Sequence, residues 1–473
     1  MNLAIFSLYL STIAVIILAV LLMIQWIAQI RNKTAALISV SLLSEQLLQT
    51  RFAPFRAVEI KNNAMLSKQR HFRVGQRIFS LLFISPWLKI HSKYQKRPRT
   101  IQLIVNIIIA VTASRLLVFI IGSIWSLYFT DAHTLDIPVV WLKWDAFHYL
   151  FIAQNGYVSS PHEKAVLIAF YPFYPLLIKL CWFFLRNYII AAFFVSITAL
   201  VAACIYMYKL VEMTYDSNTA DKTVLFLLVS PFSVFFGLIL TESLFLLLTL
   251  AFFYYLKKQC WVISGIIGCL AAFTKNQGIL LLVPYFMEAI TNIAQQRNTS
   301  TLASYIVLGI KKMFPACFIP IGFLLYLLIN YIFLGDPFKF LEYQQEHWHN
   351  SFGFFAENIR GMIAQATTYS NYGYRFSLMV LQPIVFFSAL LSIFAAIIKK
   401  IPVSFTAFNM AFLLVSFSPT WLLSAARYST ALFIVPMLLA IFSTNTKRLV
   451  LLSSLSIALM CFFVIVFVEG VMF

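Results

Sequence analysis

Long apolar runs, separated by short polar breaks, occupy most of this chain. They lie at about residues 3–30, 101–129, 166–185, 188–210, 223–240 and 243–256, and the pattern continues to the C-terminal residues. A helix needs about 20 apolar residues to cross a hydrocarbon core of about 30 Å, so the longer runs predict transmembrane helices. The first, Leu3 to Ile30, is too long for a signal-peptide core and no positive charge precedes it, so it reads as a retained helix. The runs 260–274 and 278–290 are short for spans.

Composition agrees. Hydrophobic residues make up 62% of the 473 residues and charged ones 11%, and the mean hydropathy is +0.88. A soluble domain is about half apolar and a quarter charged. The predicted class is an all-α polytopic membrane protein, with room for roughly ten spans. All six cysteines (Cys181, Cys204, Cys260, Cys269, Cys317, Cys461) fall in or beside apolar segments without metal-ligand spacing. They read as small hydrophobes, and no metal or other cofactor is expected.

The net charge of +19 is concentrated rather than spread. Between Arg31 and Arg99 stand 14 Lys and Arg residues, opposed only by Glu45 and Glu59. Between two spans this marks a cytoplasmic loop, because basic residues resist translocation. Phe79, Leu81, Leu82, Phe83 and Trp87 interrupt the charges and also suit an anionic lipid surface. Membrane lipid, not nucleic acid, is the expected partner. Residues 1–100 are expected to form an N-terminal helix plus this segment, in front of a membrane domain at 101–473.

The same rule orders the remaining loops. Lys257-Lys258, Arg297 with Lys311-Lys312, Lys399-Lys400 and Lys447-Arg448 mark inside turns, whereas loops 130–165 and 334–375 carry balanced or acidic charge and belong outside. Between residue 165 outside and Lys257 inside lie four apolar runs where an odd number must cross. The run 166–185 is expected to be re-entrant, because Tyr171-Pro172-Phe173-Tyr174-Pro175 should break its helix twice. Non-helical backbone at that depth must be buried in protein or line a cavity.

Chemistry is expected in the outer loops. Trp144, Phe147, Leu150 and Phe151 have the spacing of one apolar helix face, and Asp145, His148 and Tyr149 fall on the other side. Two readings of this stretch stand side by side. In one, Asp145 accepts a proton from a hydroxyl and His148 orients or tunes it; in the other, an aromatic-belt helix carries one solvated carboxylate.

Trp144-Asp145 through Ile152-Ala153 to Gly156-Tyr157 resembles the W-D-x-x-x-Y-x-x-I-A-x-x-G-Y motif of the PIG-V-like mannosyltransferases, a family within the GT-C superfamily. Ala169–Leu177 is similar to that family's A-F-F-P-L-Y-P-L-L, and Ser230-Pro231 through Glu242-Ser243-Leu244-Phe245 to its S-P…E-S-L-F. Thr274-Lys275 through Gly278 resembles T-R-x-x-G, Gly335-Asp336-Pro337 with Gln345 and Trp348 resembles G-D-P…Q…W, and Ala426-Arg427-Tyr428 resembles P-R-Y. Lys143, Lys275 and Ala426 depart from the family's usual residues, and residues 1–100 have no counterpart.

The resemblance implies a GT-C-like helical bundle of about 11–13 transmembrane helices with amphipathic helices in its first large outer loop, and inverting transfer of a sugar, typically mannose. The donor would be a polyprenyl (dolichyl) phosphate sugar and the acceptor a lipid-linked sugar, glycolipid or glycan; a further membrane subunit stays open. Asp145 falls at the family's catalytic carboxylate, with His148 beside it. Lys275 and Arg427, then Arg375 and Lys143, are candidate ligands of the donor phosphate. Glu242, Asp336, Gln345, Trp348 and Trp144 are candidates for the acceptor or sugar. The cations could equally be helix-end anchors, Trp348 an interface anchor, and Glu242 a partner of a neighbouring cation. The membrane would be the plasma membrane of a prokaryote or the endoplasmic reticulum of a eukaryote. The competing class is a transporter or lipid-linked sugar flippase; paired repeats and mid-membrane ionisable residues would mark it, and neither is evident.

Overall fold

The computed structural model describes residues 3–47, 99–130, 135–157, 163–296, 302–420 and 424–472. These are helical nearly throughout, and the sole strand-like pairing among them is one bridge between Phe352 and Pro419. Among the described residues seven helices are long and apolar enough to cross a membrane: Leu3–Ile30, Thr100–Phe129, Tyr188–Thr214, Asn276–Gln295, Ser304–Leu334, Tyr372–Ile398 and Thr446–Val468. Three shorter apolar helices are Phe173–Leu185, Trp261–Thr274 and Val403–Ser416. Exposed apolar side chains such as Ile13, Ile17, Leu324, Leu328, Leu451 and Leu455 line their outer faces. Such faces are costly in water and natural in lipid. The chain is an all-α polytopic integral membrane protein.

Two compact units are present, residues 1–30 with 110–473 and residues 31–109. Residues 48–98, which carry most of the basic segment and its expected cytoplasmic or interfacial placement, lie outside the described residues. The N-terminal helix, expected to group with that segment, belongs to the larger unit. There Gln25 Nε2 donates to the Ile401 carbonyl (3.4 Å) and Trp26 Nε1 to Thr291 Oγ1 (2.9 Å).

Basic residues gather at one end of the larger unit. Lys257 pairs with Glu288, which also accepts from Ser404 Oγ (2.5 Å). Lys312 bonds Asn292, Lys399 lies over Phe442 (5.3 Å), and Lys222 donates to the Ser443 carbonyl (3.0 Å). The helix Glu242–Lys257 starts far from this end, about 24 Å away for 16 residues. Its first residue, Glu242, stands among Asp145, Lys275 and Arg427.

The segment 166–185 breaks once, not twice. A 3-10 turn, Glu163–Ala169, leads to Phe170-Tyr171, and the helix Phe173–Leu185 starts directly after Pro172. Pro175 falls in that helix's first turn, where a missing N–H has no intrahelical acceptor to lose. Arg186, in the left-handed region, and Asn187, whose side chain accepts from Ile190 N, turn the chain straight into Tyr188–Thr214. The Tyr174 hydroxyl meets Ser196 Oγ at 2.7 Å, so the two helices form an antiparallel hairpin with its tip at 186–187. At 13 residues, about 20 Å, the first helix is shorter than a bilayer core.

A second stretch without α-helix, 229–241, holds only a 3-10 turn at Ser233–Phe235, precedes Glu242 and depends on a buried cation. Arg115, from the helix Arg99–Phe129, donates to the carbonyls of Ser233 (2.5 Å), Phe236 (2.7 Å) and Leu228 (3.3 Å). Arg115 is thus a mid-membrane ionisable residue where none was expected, and non-helical carbonyls at that depth need such a donor. Gly237 turns the chain at φ +78, and a Cβ there would meet Ile197 Cδ1 at 2.7 Å. Its N–H donates to Ser243 Oγ (2.9 Å), which ties the turn to the helix that starts at Glu242.

Candidate active site

Three breaks in helical structure converge at the end opposite the basic cluster. The first carries Asp145. Trp141, almost fully buried, packs edge-on to Phe119 at a centroid distance of 4.6 Å and against Gly122. This anchors the outer segment, and the chain turns at Trp144 (φ 54) into the helix Asp145–Asn155. That helix buries Ala146, Tyr149, Leu150, Ile152 and Ala153, whereas Phe147 is exposed. The expected apolar face is therefore rotated. The helix docks on protein through 146, 149, 150 and 153, and Phe147 points away from it.

The second break carries Lys275. The helix Trp261–Thr274 ends there and a 3-10 segment, Asn276–Leu281, follows at once. Gly278 permits the tight junction, since a Cβ would fall 2.3 Å from the Ala271–Ala272 backbone. The third is the short helix Ala425–Tyr428, which carries Arg427. The strand of chain leading towards it is pinned by Asn358, whose Nδ2 donates to the carbonyls of Phe417 (3.1 Å), Ser418 (2.9 Å) and Pro419 (3.0 Å).

Four charges meet. Arg427 donates through one Nη to Asp145 Oδ2 (2.5 Å) and through Nε to Glu242 Oε1 (2.7 Å). Lys275 Nζ reaches the same Glu242 oxygen at 3.2 Å and lies 4.2 Å from the centre of the Tyr428 ring. Two carboxylates balance two cations, so the quartet is neutral. Glu242 is 2% exposed and Arg427 5%, while Asp145 is 27% exposed and opens to solvent. Burial opposes the charge on Arg427, but Asp145 and Glu242 outweigh it and raise its pKa well above the usual value.

Asp145, Lys275 and Arg427 line a cavity of about 490 Å³. Its walls include Trp144, His148, Tyr149, Phe170, Tyr171, Gln277, Gln344, Trp348 and Tyr428. His148 stacks on Phe170 at 4.6 Å and Phe170 meets Trp348 edge-on at 6.0 Å. Burial lowers the His148 pKa, with Asp145 pulling it the other way, so near neutral pH the ring is an uncharged imidazole. Burial, reinforced by Asp145, holds the Tyr149 phenol well above its usual range, so it stays a neutral hydroxyl. A volume of this size suits a small ligand with one end apolar and a few fixed polar groups.

The expected site residues thus separate. Asp145, His148, Lys275, Arg427, Trp144 and Trp348 all line the cavity. Glu242 lies behind it and contacts the two cations rather than the cavity space. Lys143 does not: its Nζ donates to the carbonyls of Phe467 (3.4 Å) and Val468, at the end of the helix Thr446–Val468. The carbonyl end of a helix attracts a cation, and that attraction takes Lys143 out of the cavity. Arg375 also lies elsewhere, donating to the Thr367 carbonyl (3.3 Å) and resting over Tyr372. Asp336 accepts from Phe338 N (2.8 Å) in the turn before the helix Lys339–Trp348. On that helix Gln344, not Gln345, lines the cavity, because adjacent residues point about 100° apart. Gln277, Tyr149, Tyr171, Asn350 and Tyr428 also line it and were not expected. Their signal was proximity to the broken helices; an uncharged amide or phenol otherwise leaves little trace in an apolar sequence.

No family model matches the chain, PIG-V-like or other, and no curated protein matches it. Among solved structures it is similar to the oligosaccharyltransferase of Archaeoglobus fulgidus in its apo form, at 13% identity and a TM-score of 0.42, with 80% of this chain and 56% of that one covered. The same enzyme tethered to an acceptor peptide containing the NVT sequon gives 12% identity and a TM-score of 0.40, covering 76% and 55%. Archaeal AglB from that organism, in complex with an inhibitory peptide and a dolichol-phosphate, gives 11% identity and a TM-score of 0.36, again covering 76% and 55%. The chain spans a little over half the length of these structures. Likeness at this level supplies no residue-by-residue correspondence.

Proposed function

We propose that the chain is an integral membrane glycosyltransferase that moves a sugar, mannose by its motif resemblance, from a polyprenyl phosphate to a hydroxyl acceptor with inversion at the anomeric carbon. The observation that carries this reading is the pairing of Asp145 with Arg427 at the wall of the cavity, with Lys275 beside it. A partly exposed carboxylate can act as base, and two buried cations can accept the charge of a phosphate leaving group. Aromatic walls suit the faces of a sugar ring.

In the proposed reaction Asp145 takes the proton of the acceptor hydroxyl. The oxygen attacks the anomeric carbon as its bond to the phosphate oxygen breaks, and the phosphate leaves with that electron pair. Arg427 can hold a phosphate through paired N–H groups, and Lys275 adds a point charge. Because Arg427 binds Asp145 in the free protein, the donor phosphate competes for the same guanidinium. As Arg427 turns to the phosphate, Asp145 loses its counter-charge and becomes a better base, so donor binding would switch on the acceptor chemistry. Glu242 keeps the two cations together from behind.

The distribution of charge supports the membrane side. The site lies opposite the end that holds Lys257, Lys312 and Lys399, so by the positive-inside rule it faces the outside or lumen, in a plasma membrane or an endoplasmic reticulum. The test is a transfer assay in detergent or nanodiscs with polyprenyl-phosphate mannose and a panel of acceptor glycolipids. A glycosylated product of inverted anomeric configuration supports the reading. Movement of a lipid-linked sugar across vesicles without any new glycosidic bond would replace it with a flippase.

A further inference from the structure

Gln277 and Tyr171 are uncharged polar groups of the cavity wall that take no part in the quartet. Gln277 is 5% exposed and Tyr171 7%, and both line the 490 Å³ space. Gln277 Oε1 and the Tyr171 hydroxyl are buried without a hydrogen-bond partner among the described residues. An unsatisfied buried polar atom costs about 1–3 kcal/mol, so each such atom calls for a reason. Neither can easily find a partner by moving. The Tyr171 ring is stacked on Tyr326 at 3.9 Å, and Tyr326 is itself tied to the Ile168 carbonyl (2.8 Å). Gln277 sits in the 3-10 segment pressed against Ala271 and Ala272 through Gly278.

Their chemistry points to a neutral, hydroxylated partner. The phosphate-binding cations stand elsewhere on the wall, so these groups are not needed for charge. An amide carbonyl accepts and a phenol both donates and accepts, which suits a sugar hydroxyl. The two positions also fall outside the motif resemblance. Gln277 occupies an unspecified position of T-R-x-x-G, and Tyr171 stands where A-F-F-P has Phe.

We propose that Gln277 and Tyr171 each bond a hydroxyl of the transferred sugar and so set the donor's sugar specificity. This inference rests on the proposed glycosyl transfer. A site built to bond a hydroxyl rejects the analogue that lacks it, because its own polar groups are left unpaired.

The test uses the full-length protein, a set of mono-deoxy polyprenyl-phosphate mannose donors, and the variants Gln277→Met and Tyr171→Phe. In the wild type, loss of a hydroxyl that either residue bonds should lower kcat/KM roughly tenfold. In each variant the parent donor should lose a similar factor, and removal of the hydroxyl bonded by the replaced residue should then cost less than about twofold. Both variants should melt no lower than the wild type, since each removes an unsatisfied polar atom. Unchanged sensitivity to every deoxy donor would overturn the inference, as would a lowered Tm, which marks a merely structural role. Tyr171→Phe removes a single oxygen, so it decides the matter even if Gln277→Met does not fold. If the wild type transfers no sugar from any polyprenyl phosphate, the functional reading itself fails and takes this inference with it. Transfer by the wild type with unchanged deoxy profiles in the variants refutes the inference alone.

Discussion

Replacing Glu242 by Gln removes the one anion that holds Lys275. Glu242 is 2% exposed, Arg427 5% and Lys275 12%, so water screens these contacts little. Arg427 keeps Asp145 as a bonded partner, whereas Lys275 keeps the rings of Tyr428 and Phe245 and the unbonded charge of Asp145. Removing one partner of a buried ion pair costs about 3–5 kcal/mol, chiefly because the other charge is left uncompensated. The residual exposure of Lys275 puts the expected cost at the lower end, about 3 kcal/mol. With an unfolding entropy of about 2 cal/mol/K per residue, that lowers the Tm of a chain of this length by about 3 °C. The assay is thermal unfolding followed by tryptophan fluorescence, in one detergent at one scan rate. Glu242→Gln with Lys275→Met should recover part of the loss, because no orphan cation remains. A single variant that melts within about 0.5 °C of the wild type, or a double variant below both singles, would refute the reasoning.

Three other outcomes follow from the same geometry. Lys275→Gln and Arg427→Gln should each raise the donor KM and combine less than additively, with the acceptor KM little changed; effects confined to the acceptor would make both residues simple anchors. His148 has a folded pKa below its unfolded one, so between the two the unfolded chain binds more protons and stability falls as pH drops through that window. His148→Gln should remove this acid-side loss and cost less than about tenfold in rate, since Asp145 rather than His148 is the proposed base; an unchanged pH–stability curve argues against it. Asn187→Cys, at the tip of the 173–214 hairpin, should be labelled by an impermeant reagent from the side opposite the basic cluster, and labelling from the basic side alone would reverse the orientation.

Much of this architecture was legible because lipid imposes strong rules. Apolar runs predict spans, loop charge predicts their sense, and an ionisable residue beside an apolar run is expensive enough to be noticed. Glu242 stood out for that reason, and Asp145, Lys275 and Arg427 through the motif resemblance, although the four come from distant parts of the chain. What the sequence hid is which partner each charge finds. Lys143 is two residues from Asp145, yet the carbonyls at Phe467 and Val468 take it. Arg115 lies inside an apolar span, and its acceptors are carbonyls 113 to 121 residues away, with no side-chain signature. Gln344 rather than Gln345 faces the cavity because a single helical step redirects a side chain. Tyr171-Pro172 breaks the helix but Pro175 does not, since the same residue that disrupts a helix interior is harmless in its first turn.

If Asp145 is the base of a glycosyl transfer, a comparison of the wild type with Asp145→Asn reveals it directly. The amide keeps the shape and can still accept a hydrogen bond from Arg427, but it cannot take a proton. Turnover of polyprenyl-phosphate mannose, with the acceptor identified from the panel, should fall by about 10²–10⁴-fold while the Tm and donor binding are retained. Turnover within a few-fold of the wild type in Asp145→Asn would contradict the account.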